Sequence, residues 1–210
     1  MLAYDTATAG TIREKEDETD HLEDILGTYL VKVTSTQLGN EESTQATEYM
    51  KIIGDYERIA DHAVNILASA QELVDKKITF SGQAAGEFRT LCAAVREILA
   101  ISYQAFADTD YQAARETEPL EQVIDSLKEI LRTRHILRLQ KGECTVDAGF
   151  IWSDLLTNLE RVSDHCSNIS GCVIDTFRHN MNIHENLRAY RTTDTDFMRE
   201  YQAYQAKYHV

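Results

Sequence analysis

The chain holds a single proline, nine glycines and one tryptophan in 210 residues. So few helix breakers exclude a fold built from many tight turns and leave long helices with short connections. The four cysteines, Cys92, Cys144, Cys166 and Cys172, form no CxxC pair. That argues against a structural disulfide and predicts buried free thiols in a reducing compartment. There is no long apolar run: the most apolar stretch, around Leu91 to Ala107, is broken by Arg96 and Glu97, short of what a bilayer requires. No signal peptide is visible at the start. Basic side chains are scarce, 21 Lys and Arg against 35 Asp and Glu, for a net charge of -14. This excludes non-specific binding to nucleic acid or to an anionic membrane and leaves cations as the natural partners. Nucleophile motifs and phosphate-binding glycine loops are also missing, so hydrolase and kinase readings have no support.

What the chain does have is a repeat. The text Asn158-Leu159-Glu160-Arg161-Val162-Ser163-Asp164-His165-Cys166-Ser167-Asn168-Ile169 answers, 103 positions later, Asp55-Tyr56-Glu57-Arg58-Ile59-Ala60-Asp61-His62-Ala63-Val64-Asn65-Ile66. Glu, Arg, Asp, His, Asn and Ile recur at identical spacing, and apolar residues recur at helical steps in both copies. The expected fold is therefore all-α, a tandem repeat of antiparallel three-helix bundles.

Met1 to Gly10 is irregular and is assigned no element. A first helix is predicted over Thr11–Leu38, with Leu22, Ile25, Leu26, Tyr29 and Val33 on one face. Gly39-Asn40 stops it, and Asn40 caps a second helix over Glu41–Lys77, whose seam is Ile52, Tyr56, Ile59, Ala63 and Ile66. Further helices are predicted over Ser81–Ala107, over Tyr111–Gln140 with Pro119 marking a kink or a late start, and over Val146–Arg178. An aromatic stripe, Phe197, Tyr201, Tyr204 and Tyr208, predicts a C-terminal helix docked on the bundle over Asp196–Tyr208. The division is 1–78 for the first half, 79–180 for the second and 181–210 for a helical tail. The counterpart of the third helix would fall before residue 1. The first bundle thus lacks its first helix, as expected of the C-terminal part of a longer polypeptide.

Residues four apart share a helix face, so Glu57 with Asp61, and Glu160 with Asp164, are carboxylates one turn apart. The preceding helices repeat the arrangement as Glu16 with Asp20 and Glu121 with Asp125. In antiparallel hairpins the pairs stand at matching heights, pointing away from the apolar seams toward the outer side. Gathered like charges repel by about 1 kcal/mol per pair even in water, and a multivalent cation neutralises them. All-oxygen donor sets suit hard ions such as Fe3+, Mg2+, Mn2+ or Ca2+. His62 and His165 stand about 100° from the neighbouring Asp, which makes them groove-lining or helix-contact residues rather than ligands.

The doubled Glu-Arg-Ile/Val-x-Asp-His-x-x-Asn-Ile text, with a second Glu-x-x-x-Asp on the preceding helix of each half, resembles the PhoU family of phosphate-uptake regulators over residues 11–178. The text His135-Ile136-Leu137-Arg138-Leu139, Gly142-Glu143-Cys144 and Asp164-His165-Cys166 is closer to the C-terminal cytosolic region of bacterial sodium/phosphate cotransporter family proteins. The resemblance implies a non-enzymatic regulator that holds metal clusters, of iron or zinc, on Glu16, Asp20, Glu57 and Asp61 in one half and on Glu121, Asp125, Glu160 and Asp164 in the other. It implies a phosphate transporter membrane domain in the same polypeptide as partner, phosphate at the metal, a homodimer, and a place in the cytoplasm at the inner face of the membrane. Asn158 in place of Asp55 marks the second patch as the weaker. Two other readings stay open. One is a helical scaffold for protein partners; the other is a di-iron carboxylate protein built on Glu18 and His21, which requires ligands facing the bundle interior.

Overall fold

A computed structural model describes residues 4–36, 38–178 and 195–210. Within them the chain forms six helices: α1 (Thr6–Thr34), α2 (Asn40–Asp75), α3 (Gly82–Ala107), α4 (Tyr111–Gln140), α5 (Val146–Arg178) and α6 (Thr195–Lys207). No strand occurs among the described residues.

Local chemistry sets most of the boundaries. Helix α1 starts earlier than Thr11 because Asp5 caps it, its carboxylate accepting from the Thr8 amide at 2.9 Å and the Thr8 hydroxyl at 2.6 Å. That cap organises residues whose text carries no apolar period. Helix α2 is capped by Gly39 rather than Asn40, with the Gly39 amide donating to Glu42 Oε2 at 2.9 Å. The Ser81 hydroxyl caps α3 at the Ala84 amide. Asp110 caps α4 by accepting from the amides of Gln112 and Ala113. Pro119 neither starts nor stops α4: the helix runs from Tyr111 straight through it, with the ring buried. Helices α2, α3 and α4 end alike, on a residue of positive φ, Lys77, Thr109 and Gly142 respectively. In each case the next amide reaches back across the turn, Ile78 to Leu73, Asp110 to Ala105 and Glu143 to Arg138, all at 2.9 Å, which closes the orphaned carbonyls.

The second half is a filled bundle. Leu91 and Ile98 from α3, Leu120, Ile124, Leu127 and Leu131 from α4, and Ile151, Trp152, Leu155 and Leu156 from α5 form one core. Helix α6 docks on it through Tyr204 and Tyr208, and Phe197 is buried as well, as the aromatic stripe predicted. The helical tail is thus described only from residue 195; residues 181–194 of the predicted tail lie outside the described residues.

The first half is different. Helix α1 packs along α2, and α2 lies along α5. The predicted apolar face of α1 is mostly uncovered: Leu22 is 54% exposed and Leu26 43%, with Ile25 and Tyr29 also exposed. Their counterparts one repeat later, Leu127 and Leu131, are 3% and 0% exposed. The same two leucines are sealed beside α3 in one half and wet in the other, where no counterpart of α3 stands among the described residues. All four cysteines are free thiols, Cys166 and Cys172 buried and Cys92 and Cys144 half-buried.

Candidate metal centre

The two halves meet along α2 and α5. His62 Nδ1 lies 2.8 Å from Asn158 Oδ1, and His165 Nδ1 lies 2.8 Å from Asp55 Oδ1. Each histidine therefore bonds to a residue of the other half, in an antiparallel pairing centred near Ile59 and Val162. The two imidazoles stack with centroids 5.6 Å apart and planes 28° off parallel. The histidines are helix contacts, as their angular position suggested.

Asn158 consequently has no place in the acidic patch. Its side chain is spent on His62 and on the Asp154 carbonyl, which takes its amide at 2.8 Å. Asp55 is likewise engaged by His165 and by the Asn168 amide. The substitution of Asn158 for Asp55 does not thin the second patch.

The acids themselves line the grooves of the two hairpins. In the first groove Glu16 on α1 faces Asp61 on α2. Partial burial, then Asp17, Asp61 and Asp20, push the Glu16 carboxyl above its ordinary range, and the two carboxyls stand close enough to share a proton. Glu57 is raised by burial and by Asp61, with Glu23 adding to the effect and Arg58 opposing it. Asp20 is exposed at the rim.

The second groove is deeper. Glu121 and Glu160 are buried, and Asp125 and Asp164 half-buried, so these four do not point outward as the helical angles alone suggested. They sink because α4 and α5 close tightly on the shared core. Burial, then Glu160, push the Asp164 carboxyl up to about 6, with Asp125 adding and Arg161 opposing. Glu160 divides its two oxygens: Oε1 accepts from Lys128 Nζ at 2.8 Å, and Oε2 is buried without a hydrogen-bond partner. Arg161 Nε lies 3.9 Å from Oε2. Glu121 Oε2 accepts from the Gln122 side-chain Nε2 at 2.6 Å.

Lys128 was missed by the sequence reading, and a signal existed for it. Laying Glu16 and Asp20 over Glu121 and Asp125 puts Glu23 over Lys128, so the residue facing Glu57 in one groove is acidic and the residue facing Glu160 in the other is basic.

Each groove supplies hard oxygen donors under mutual repulsion, which suits an oxygen-seeking cation. Among the described residues, no group of three or more His, Cys, Asp or Glu side chains already converges on one point. An ion would have to draw the carboxylates in. The di-iron pattern gains nothing, because Glu18 and His21 are exposed on α1 and do not face a bundle interior.

The charge arrangement sets a pH response. Folded, metal-free chain holds the Asp164 proton to about pH 6, whereas an unfolded chain releases it near 3.8. Asp164 binds its proton more tightly in the folded state between those values, so its contribution to stability falls as pH rises from about 4 to 6. That contribution is about 2 kcal/mol once partial solvent exposure is allowed for. In urea titrations of metal-free protein across that range, the stability of wild type relative to Asp164→Asn should fall as pH rises; a difference that stays constant or grows contradicts the assignment.

Acid-lined grooves on two hairpins, joined by reciprocal histidine bonds between α2 and α5, define a doubled helical-bundle protein. The PhoU domain model matches residues 1–70 and 88–173, and the chain belongs to the PhoU domain family. It is 26% identical over 125 residues to the phosphate-specific transport system accessory protein PhoU homolog 1 of Thermotoga maritima, a stretch covering 60% of this chain and 53% of that protein. The chain thus spans about half the length of that curated relative. The crystal structure of PhoU from Pseudomonas aeruginosa superposes with a TM-score of 0.76 at 22% identity, covering 84% of each chain. That of the phosphate transport system regulatory protein PhoU from Streptococcus pneumoniae gives 0.71 at 17%, covering 83% of this chain and 81% of the other. These two share the fold. Among the described residues no helix is long and apolar enough to cross a membrane.

Proposed function

We propose that this chain is a non-enzymatic regulatory domain of phosphate uptake that works by binding metal ions in its acidic grooves. The observation that carries the reading is the doubled Glu-x-x-x-Asp arrangement: Glu16, Asp20, Glu57 and Asp61 along one hairpin, Glu121, Asp125, Glu160 and Asp164 along the other. Family membership supports the phosphate connection, since the Thermotoga relative is named for a phosphate-specific transport system. Iron, zinc, magnesium, manganese and calcium are the candidate ions, with the all-oxygen donors favouring the harder ones. A cation held by carboxylates supplies open positions for an oxyanion, which gives phosphate a route to the groove. The partner in this reading is a phosphate transporter membrane domain of the sodium/phosphate cotransporter kind in the same polypeptide, with the bundle at the cytoplasmic face of the membrane. A homodimer is compatible with it.

Elemental analysis of protein purified without chelator tests the proposal. Stoichiometric metal in the wild type that drops by at least half in Glu57→Ala/Asp61→Ala is the expected result. Metal-free wild type, or unchanged stoichiometry in the variant, rejects it. The scaffold reading has one observation in its favour, the exposed Leu22, Ile25, Leu26 and Tyr29 of α1. It predicts no binding heat and no stabilisation when metal-stripped chain is titrated with these ions.

A further inference from the structure

We propose that Lys128 is a resident cation in the second groove, so that the two grooves are unequal and the first is the one that takes metal. The inference rests on the metal-binding reading above and divides it between the halves.

The grooves are built from repeated text, so differences between them stand out. Glu57 and Glu160 occupy equivalent positions, and so do Glu23 and Lys128. In the first groove Glu23 adds its field to the crowd on Glu57. In the second, Lys128 reaches from α4 across to Glu160 Oε1 at 2.8 Å, with both side chains mostly buried. An ammonium there does part of what an incoming cation would do. It compensates Glu160, and it places a positive charge beside the groove that repels a second cation. A mostly buried pair of this kind is screened less than a surface pair. Among the described residues the first groove has no counterpart to it. Arg58 lies on the same helix as Glu57 and is exposed, while Glu16, Asp20, Glu23, Glu57 and Asp61 supply five acids.

The second groove keeps the elements of a site behind its lysine. Glu160 Oε2 is buried with no hydrogen-bond donor, in a side chain about nine-tenths buried. Such an atom carries a desolvation cost that a cation would relieve. Removing the Lys128 charge should therefore open a site rather than merely destroy an ion pair.

The test is a titration of the metal-stripped 210-residue chain with Mn2+, counting bound ion by electron paramagnetic resonance. In wild type, Glu57→Gln should abolish tight binding and Glu160→Gln should leave it intact. Lys128→Gln should add a second class of site, with affinity at Glu160 raised about tenfold, and Lys128→Arg, which keeps the charge, should match wild type. Glu23→Lys, which copies the second groove into the first, should weaken the first site by more than tenfold. Helix content by circular dichroism checks that each variant folds. Mn2+ curves for Lys128→Gln that superimpose on wild type, or a Glu160→Gln loss equal to that of Glu57→Gln, overturn the role of Lys128. Absence of Mn2+ from both wild type and Lys128→Gln overturns instead the metal reading on which it stands.

Discussion

Glu87→Ala is expected to destabilise the fold by about 3–5 kcal/mol, although Glu87 is neither in a groove nor in the repeated text. The side chain is buried on α3, where Oε1 accepts from Arg134 at 2.9 Å and Oε2 lies 2.9 Å from Arg138. Arg138 is itself almost fully buried, its guanidinium over the Trp152 ring at 5.7 Å, with Nε and Nη2 lacking hydrogen-bond partners. Arg134 also donates to the Val210 carbonyl at 2.7 Å, which fastens the end of the chain beyond α6. Removing the carboxylate leaves a buried guanidinium uncompensated, and that cost exceeds the worth of the pair. The companion Glu87→Leu/Arg138→Met should recover most of the loss, because it removes both charges and fills the space. Urea denaturation of the three proteins decides the matter. A loss below about 1 kcal/mol for Glu87→Ala would mean the pair is hydrated and worth no more than a surface contact.

The second large effect is a difference between equivalent leucines. Leu131→Ala should cost about 2–5 kcal/mol, as truncations in filled cores do. Leu26→Ala, at the matching position of the first half, should cost less than about 1 kcal/mol, within the usual range for exposed sites. The sequences around the two are alike, so composition does not separate them. Only the presence of α3 over one and not over the other does. Thermal or urea melts of the two variants side by side read out the contrast directly; equal losses would mean that Leu26 is covered in solution.

Much of this architecture was readable from residue spacing. The limits of α4 and α5 follow from apolar periodicity, and α3 was placed to within a residue by its serine cap. The start of α1 was not, since Asp5 organises a stretch with no apolar pattern of its own. The height match of the acids followed from hairpin geometry and reappears as the facing of Glu16 and Asp61. Depth was the harder quantity. Helical angle placed Glu121 and Glu160 away from the seam, but how far a side chain sinks depends on how closely the neighbouring helix approaches, and that is settled by the core beneath. Asn158 was misjudged for a related reason: a carboxamide or carboxylate at that position serves the helix crossing, and only contact between the halves reveals it. The apolar face of α1 was legible as a face but its exposure was not, because periodicity marks which residues could be buried and not whether anything arrives to bury them.

The reciprocal histidine bonds also set the register between the halves. His62 answers Asn158 and His165 answers Asp55, and the same antiparallel register puts Ile52 in one apolar cluster with Ile169 and Cys172 and brings Lys76 to 4.0 Å from Asp147. Sliding α2 along α5 by one turn, about 5.4 Å, would break both histidine bonds at once. The relative height of the acids in the two grooves is thus held by contacts that belong to neither groove.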